Sequence, residues 1–166
     1  MKNFLISLLI LLIPSNAFGL IEVDITRGNL DPLPVAVSPL SIDEESRKNF
    51  ENILKKKNIG LEISNIVEKN LKTSGLFNPL NKDSFLQAPD IANLKPRFED
   101  WNLIKAQALI TGKVSYLEDK LRVEFRLWDV LAGKEMMALA FTTVPNNWRR
   151  VGHIITDKVY ERLTGE

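Results

Sequence analysis

Cysteine is absent from the 166 residues, and histidine occurs once, as His153. Without cysteine there is no disulfide, no thiolate metal site and no cysteine nucleophile, and one imidazole cannot build a His-rich metal centre. A surplus of charge of one sign is missing as well, since 22 Lys+Arg face 21 Asp+Glu. Proteins that grip nucleic acid concentrate basic charge to neutralise phosphates, so this balance speaks against a nucleic-acid partner. Glycine and proline number 8 each against 45% hydrophobic residues, a composition that belongs to a folded chain rather than a disordered or fibrous one. The length suits about one ordinary domain.

Long apolar runs are also scarce, and the one at the start has a specific pattern. Lys2 precedes the run Phe4 to Ile13, broken only by Ser7, and Pro14-Ser15-Asn16-Ala17-Phe18-Gly19 follows with small residues at cleavage spacing. This is the layout of a secretory signal peptide over 1–19. Cleavage after Gly19 or after Ala17 both fit, and the mature start is read at Leu20. A membrane anchor would need about 20 apolar residues, roughly twice this run. No Cys follows the run to carry a lipid. Removing Lys2 with the leader leaves 21 basic residues (22 less one) against 21 acidic, so the mature chain is formally neutral and destined for a compartment outside the cytoplasm.

The hydrophobic period then changes several times. Ile21-Glu22-Val23-Asp24-Ile25-Thr26 alternates as a half-buried strand does, and Arg27 to Pro32 breaks it with Gly28-Asn29, which predicts a strand and a mobile link over 20–30. Pro34 to Leu40, apolar nearly throughout between prolines, reads as a central strand buried on both faces. Ser41 to Asn58 is charge-dense, with Asp43-Glu44-Glu45 and Lys55-Lys56-Lys57, and is read as an exposed excursion with a helical stretch. Its lysines are read as a solvated face rather than a site for nucleic acid or anionic lipid.

Leu61, Ile63, Ile66, Val67 and Leu71 recur at helical spacing before Gly75, a residue suited to the left-handed position past a helix end. Leu76 to Leu80 is a brief extended stretch, the region through Pro96 a loop with one helical turn, and Phe98 to Lys105 a short helix with Trp101 as core anchor. Ala108 to Leu117 turns at Glu118-Asp119 into a strand where Leu121, Val123, Phe125 and Leu127 alternate with polar partners; Lys134 to Val144 makes the third strand. A last helix is expected after a cap at Asn146 or Asn147, with Trp148, Val151, Ile155, Val159 and Leu163 as its stripe. The order implies an α+β fold: a mixed sheet containing an antiparallel three-strand meander, covered mainly on one side by two main helices.

Chemistry is sparse. His153 lies off the last helix's main stripe and reads as a packing or capping residue, since no serine–acid set accompanies it in a recognisable motif. No nucleophile elbow, phosphate loop, dinucleotide turn or HExxH stands in the chain, and Asp43-Glu44-Glu45 lacks the ligand spacing of a calcium loop. No catalytic residue, metal or cofactor is assigned. Trp128, on the polar face of its strand, either marks a partner surface or is covered by a further helix, and is read as covered. The leading strand has two readings. It is a plain edge strand, the reading the pattern alone favours, or a detachable segment that adds to another protein's sheet edge.

Larger blocks of the chain resemble one family. Glu22-Val23-Asp24-Ile25, Pro34-Val35-Ala36-Val37-Ser38-Pro39-Leu40, and Leu71 through Leu80 are similar to the N-terminal domain of the TolB family. So are Trp101 with Ala106 and Ala108-Leu109-Ile110, Phe125-Arg126-Leu127-Trp128-Asp129-Val130 with Gly133, and above all Arg149 through Glu166. The resemblance spans nearly all of Leu20 to Glu166 and departs at the charged stretch Asp43 to Lys57, where relatives carry a shorter link. It makes 31–166 a TolB-like N-terminal domain and implies no enzyme.

What it does imply is a periplasmic interaction module of the Tol–Pal envelope system, supporting outer-membrane integrity and constriction at division. In that family the mature N-terminus binds the C-terminal domain of TolA by strand addition, which carries over to Leu20, Ile21, Glu22, Val23, Asp24, Ile25 and Thr26. The family's Pal contacts lie in a β-propeller without counterpart here, so Pal, and through it the outer membrane, is expected only by way of that propeller. An α+β domain of another outer-membrane assembly or secretion complex is the alternative, and it would need no free N-terminal strand.

Overall fold

The computed structural model describes residues 31–165. The expected leader and leading strand lie outside the described residues. Among the described residues six strands form one mixed sheet: β1 (Leu33–Val37), β2 (Ser41–Ile42), β3 (Phe77–Pro79), β4 (Ala108–Leu117), β5 (Lys120–Asp129) and β6 (Lys134–Thr143). Among the described residues five α-helices accompany them: α1 (Glu44–Leu54), α2 (Ile59–Thr73), α3 (Pro89–Leu94), α4 (Phe98–Leu103) and α5 (Trp148–Thr164). The strand order is β3-β1-β4-β5-β6, with β2 beside β4.

β1 is flanked on both sides, parallel to β3 and to β4. Both its faces are covered, Val35 and Val37 toward one core and Ala36 toward the other. This is the burial that the near-continuous apolar run requires. The meander β4-β5-β6 is antiparallel. Its first turn puts Glu118 and Asp119 at φ 48° and 59°, the pair of positive values that matches the right-handed twist of the strands it joins. Along β5 buried and half-buried residues alternate strictly, so Leu121, Val123, Phe125 and Leu127 face the helices.

The main core lies between the sheet and helices α1, α2 and α5, and includes Phe50, Ile63, Leu71, Phe125, Trp148, Ile155 and Leu163. Every member of the expected stripe on α5 is buried there. Helices α2 and α5 cross closely at Gly152, where an added Cβ would stand 2.9 Å from Ile66 Cγ2. α2 ends as expected, with Gly75 at φ 76° just past the helix.

Three local expectations need correction. The charged stretch is more than an excursion, because Asp43 caps α1: its Oδ1 accepts from the Ser46 N–H at 2.8 Å and its Oδ2 from the Ser46 hydroxyl at 3.0 Å. Phe50 on that helix is fully buried, edge-on to Tyr116, so one apolar residue anchors a polar helix. Asn147 stands at the start of α5 without capping it. A 3-10 turn over Pro145–Asn147 leads into the helix, and the Asn147 amide instead donates to Thr143 Oγ1 at 3.0 Å. Third, the sheet's second face carries a smaller core of its own, built from Ala36, Ala92, Trp101, Ala106, Leu109 and Val130 beneath α3 and α4.

Trp101 is the anchor of that second core, 1% exposed. Its indole N–H donates to Gln87 Oε1 at 3.0 Å. The same oxygen accepts from the Arg97 N–H at 3.0 Å, while the Gln87 amide donates to the Lys95 carbonyl at 2.9 Å. One buried amide thus ties the 80–97 connection to α4.

Candidate partner-binding surfaces

The residues singled out for partner binding, Leu20 to Thr26, precede the described residues. What the fold supplies is the place from which they are tethered and the surfaces around it. Because β1 has a strand on each side, chain leading into it cannot extend the sheet next to β1. Among the described residues the sheet's outer edges are β3, three residues long and ending in Pro79, and β6, ten residues long.

β6 differs from its neighbour β5 in burial. Met137, Leu139 and Phe141 face the helix side opposite Leu127, Phe125 and Val123, yet Leu139 is 37% exposed while Phe125 is buried. Among the described residues the helix side covers β6 only in part: Met137 and Phe141 pack on the core and Arg162 of α5 donates to the Met136 carbonyl, while Leu139 stands open. The result is a groove of about 330 Å³ between the second half of β6 and α5, lined by Phe141, Thr143, Asn147, Arg150, Val151 and Ile154.

A second surface lies at the lip of the smaller core. Trp128 is held by its indole N–H donating to Thr111 Oγ1 at 2.9 Å and by an edge-on contact with Phe98 at 5.8 Å. It is therefore packed, as read from the sequence, although its cover comes from α4. Shallow grooves flank the Phe98 ring on either side, with Leu94 beside one and Leu131 beside the other.

The lysine run sits at the junction of α1 and α2. Lys55 takes a left-handed conformation at the end of α1. Lys56 reaches Glu62 at 3.2 Å and lies 5.8 Å from the centre of the Trp148 ring, which the Arg149 guanidinium also approaches at 4.4 Å. These cations are engaged with a carboxylate and an aromatic face, as a solvated and locally paired surface would be.

His153 is exposed on α5, with Nδ1 2.8 Å from the Asn70 amide nitrogen, which also donates to Thr156 Oγ1 at 3.3 Å. The imidazole thus bridges the two main helices. Among the described residues there is no group of three or more His, Cys, Asp or Glu placed to hold a metal, and no helix long and apolar enough to cross a membrane.

The model of the TolB amino-terminal domain matches residues 21–136. The chain belongs to the TolB amino-terminal domain family. A curated Tol-Pal system protein TolB from Pelagibacter ubique (strain HTCC1062) is 77% identical over 159 residues, 96% of this chain and 36% of that protein. The chain therefore spans about a third of the length of the curated relative it matches. In three dimensions it is similar to the crystal structure of TolB from Acinetobacter baumannii, with a TM-score of 0.62 at 21% identity, over 87% of this chain and 31% of the other. At that identity the likeness concerns the fold, and the mixed sheet with its antiparallel meander is the TolB amino-terminal fold.

The Gln87 clasp went unseen in the sequence, where Gln87 sits in a polar connection like any surface residue. The signal available was Trp101 itself, since a buried indole N–H requires an acceptor.

Proposed function

We propose that this TolB-family domain is a non-enzymatic interaction module of the Tol–Pal system, acting in the periplasm after removal of residues 1–19. Leu20, Ile21, Glu22, Val23, Asp24, Ile25 and Thr26 bind the C-terminal domain of TolA by adding a strand to its sheet. The carrying observation is that the family match takes in this alternating segment, on a tether that leads into a strand already paired on both sides. A segment placed so has its backbone donors and acceptors unspoken for by β1, and strand addition satisfies them with main-chain bonds while Ile21, Val23 and Ile25 supply selectivity. Contact with Pal, and through Pal with the outer membrane, belongs in this reading to the β-propeller of full-length TolB. Outer-membrane integrity and constriction at division follow from that linkage.

The test is titration calorimetry of the chain beginning at Leu20 against an isolated TolA C-terminal domain, beside a chain beginning at Arg27. Binding should vanish in the shorter chain while its circular dichroism is unchanged. Equal binding by both chains would sink the reading.

A further inference from the structure

The edge of β6 is shaped to meet a copy of itself. We propose that two molecules of this chain associate edge to edge through β6, antiparallel, about a two-fold axis at Ala140. The inference goes beyond TolA recognition and uses none of Leu20 to Thr26.

Among the described residues β6 pairs with β5 alone. From Met136 to Thr143 it contains neither proline nor charge, the devices with which proteins commonly blunt a long edge. At one end the Met136 carbonyl is taken by the Arg162 Nε–H at 3.4 Å. The run left for pairing is therefore Met137 to Thr143, and its midpoint is Ala140.

The register follows from the ladder. In an antiparallel pair directly opposed residues either both bond across it or both do not, and the two states alternate along each strand. A strand facing its own copy can satisfy this only with the axis on a residue, never between two. An axis at Ala140 sets Leu139 opposite Phe141 of the other copy, Ala138 opposite Thr142 and Met137 opposite Thr143. Pro145, which has no N–H to give, then falls opposite Glu135 and outside the paired run.

The side chains are self-complementary in the same register. Leu139 is 37% exposed on the helix side. Two residues on, the groove of about 330 Å³ is lined by Ala140 and Thr142 as well as Phe141 and Ile154, so it opens onto the rim itself. Its wall is fixed, because the Phe141 ring stacks on Phe125 with centres 6.0 Å apart. The two-fold lays Leu139 of each copy into the groove of the other, the reciprocal contact that defines an isologous interface. On the opposite face Ala138, Ala140 and Thr142 are small and exposed, and leave the strands free to close. With no charge on the paired run, two identical edges meet without like charges opposed, whereas a charged partner strand would find no counter-charge on it. Seven paired residues make a seam about 24 Å long, burying of the order of 1,000 Å² in total, the low end for specific contacts. The dimer is accordingly weak and reversible.

Sedimentation velocity of the chain beginning at Leu20, from about 10 µM to about 1 mM, tests this. The average mass should climb toward twice that of the monomer, with a dissociation constant of the order of 100 µM. Ala140→Lys and Ala140→Glu lie at an exposed position and should leave circular dichroism unchanged. On the axis each meets its own like charge, which should weaken association about fivefold, while an equimolar mixture of the two regains it. Since the chain has no cysteine, Ala140→Cys gives an independent reading. Directly opposed Cα atoms lie about 4.5–5.5 Å apart, within disulfide reach, so this variant should oxidise to a covalent dimer and Lys120→Cys at the far hairpin should not. A monomeric mass throughout, with no more covalent dimer from Ala140→Cys than from Lys120→Cys, would overturn the proposal. So would association that neither charged variant weakens, because the contact would then lie on another face.

Discussion

Replacing Gln87 with methionine keeps the length of a buried side chain, 4% exposed, and removes three hydrogen bonds at once. The indole N–H of Trp101 sits inside the second core and has no water to turn to, so its orphaning carries a desolvation penalty of about 1–3 kcal/mol. The Arg97 N–H and the Lys95 carbonyl are neutral backbone groups, and losing each bond costs about 0.5 kcal/mol. The expected destabilisation is about 2–4 kcal/mol in urea melts followed by circular dichroism, or about 6–12 °C in melting temperature for a domain of this size. Trp101→Phe removes the buried donor itself. In that background Gln87→Met should cost only about 1 kcal/mol, a coupling of about 1–3 kcal/mol in the double-mutant cycle. An equal cost in both backgrounds would show that the clasp does not act through the indole.

Other perturbations follow from the same packing. Asp43→Ala should lose about 1 kcal/mol through the missing cap of α1, read from chemical denaturation. The Ser46 backbone N–H, bonded to Asp43, holds that carboxyl below its ordinary value. Because the folded state binds the proton more weakly, the cap's contribution is present above about pH 4 and fades as pH falls through the lower folded value; Asp43→Ala should flatten this part of the acid stability profile. Gly112→Ala should destabilise more than Gly152→Ala. A Cβ at Gly112 would stand 2.3 Å from the Glu124 carbonyl oxygen, whereas at Gly152 the obstacle is the Ile66 side chain at 2.9 Å. Side chains shift more readily than a paired strand, and about 1–3 kcal/mol is the usual range for overpacking. Equal melting temperatures for the two variants would contradict that ordering.

The elements legible in the sequence are those whose residues answer to a local period or a local turn. β5 alternates because one face meets helices, α5 shows its stripe because it lies on the sheet, and Glu118-Asp119 marks the hairpin between two such strands. β1 was legible as central because an apolar run without alternation needs cover on both faces. α1 was read only in part, since eleven polar-rich residues carry a single fully buried aromatic, Phe50, and a lone anchor produces no period. The second core was less legible still. Ala36, Ala92, Ala106 and Leu109 come from separate elements and signal nothing until the chain folds them around Trp101.

By itself the sequence determined the element types, the neutral charge, the absence of thiol chemistry and, through blocks of resemblance, the family. These properties reside in single residues or short windows, and they survive without knowledge of what lies opposite. Tertiary structure alone decided that β3 and β4 are the strands flanking β1 and that β6 stands at the edge, that Asn147 serves Thr143 rather than the helix, and that Gln87 is a buried acceptor. Each of those depends on pairing across many residues. Which strand ends at an edge is set by the order of strands in the sheet, and no local pattern encodes it.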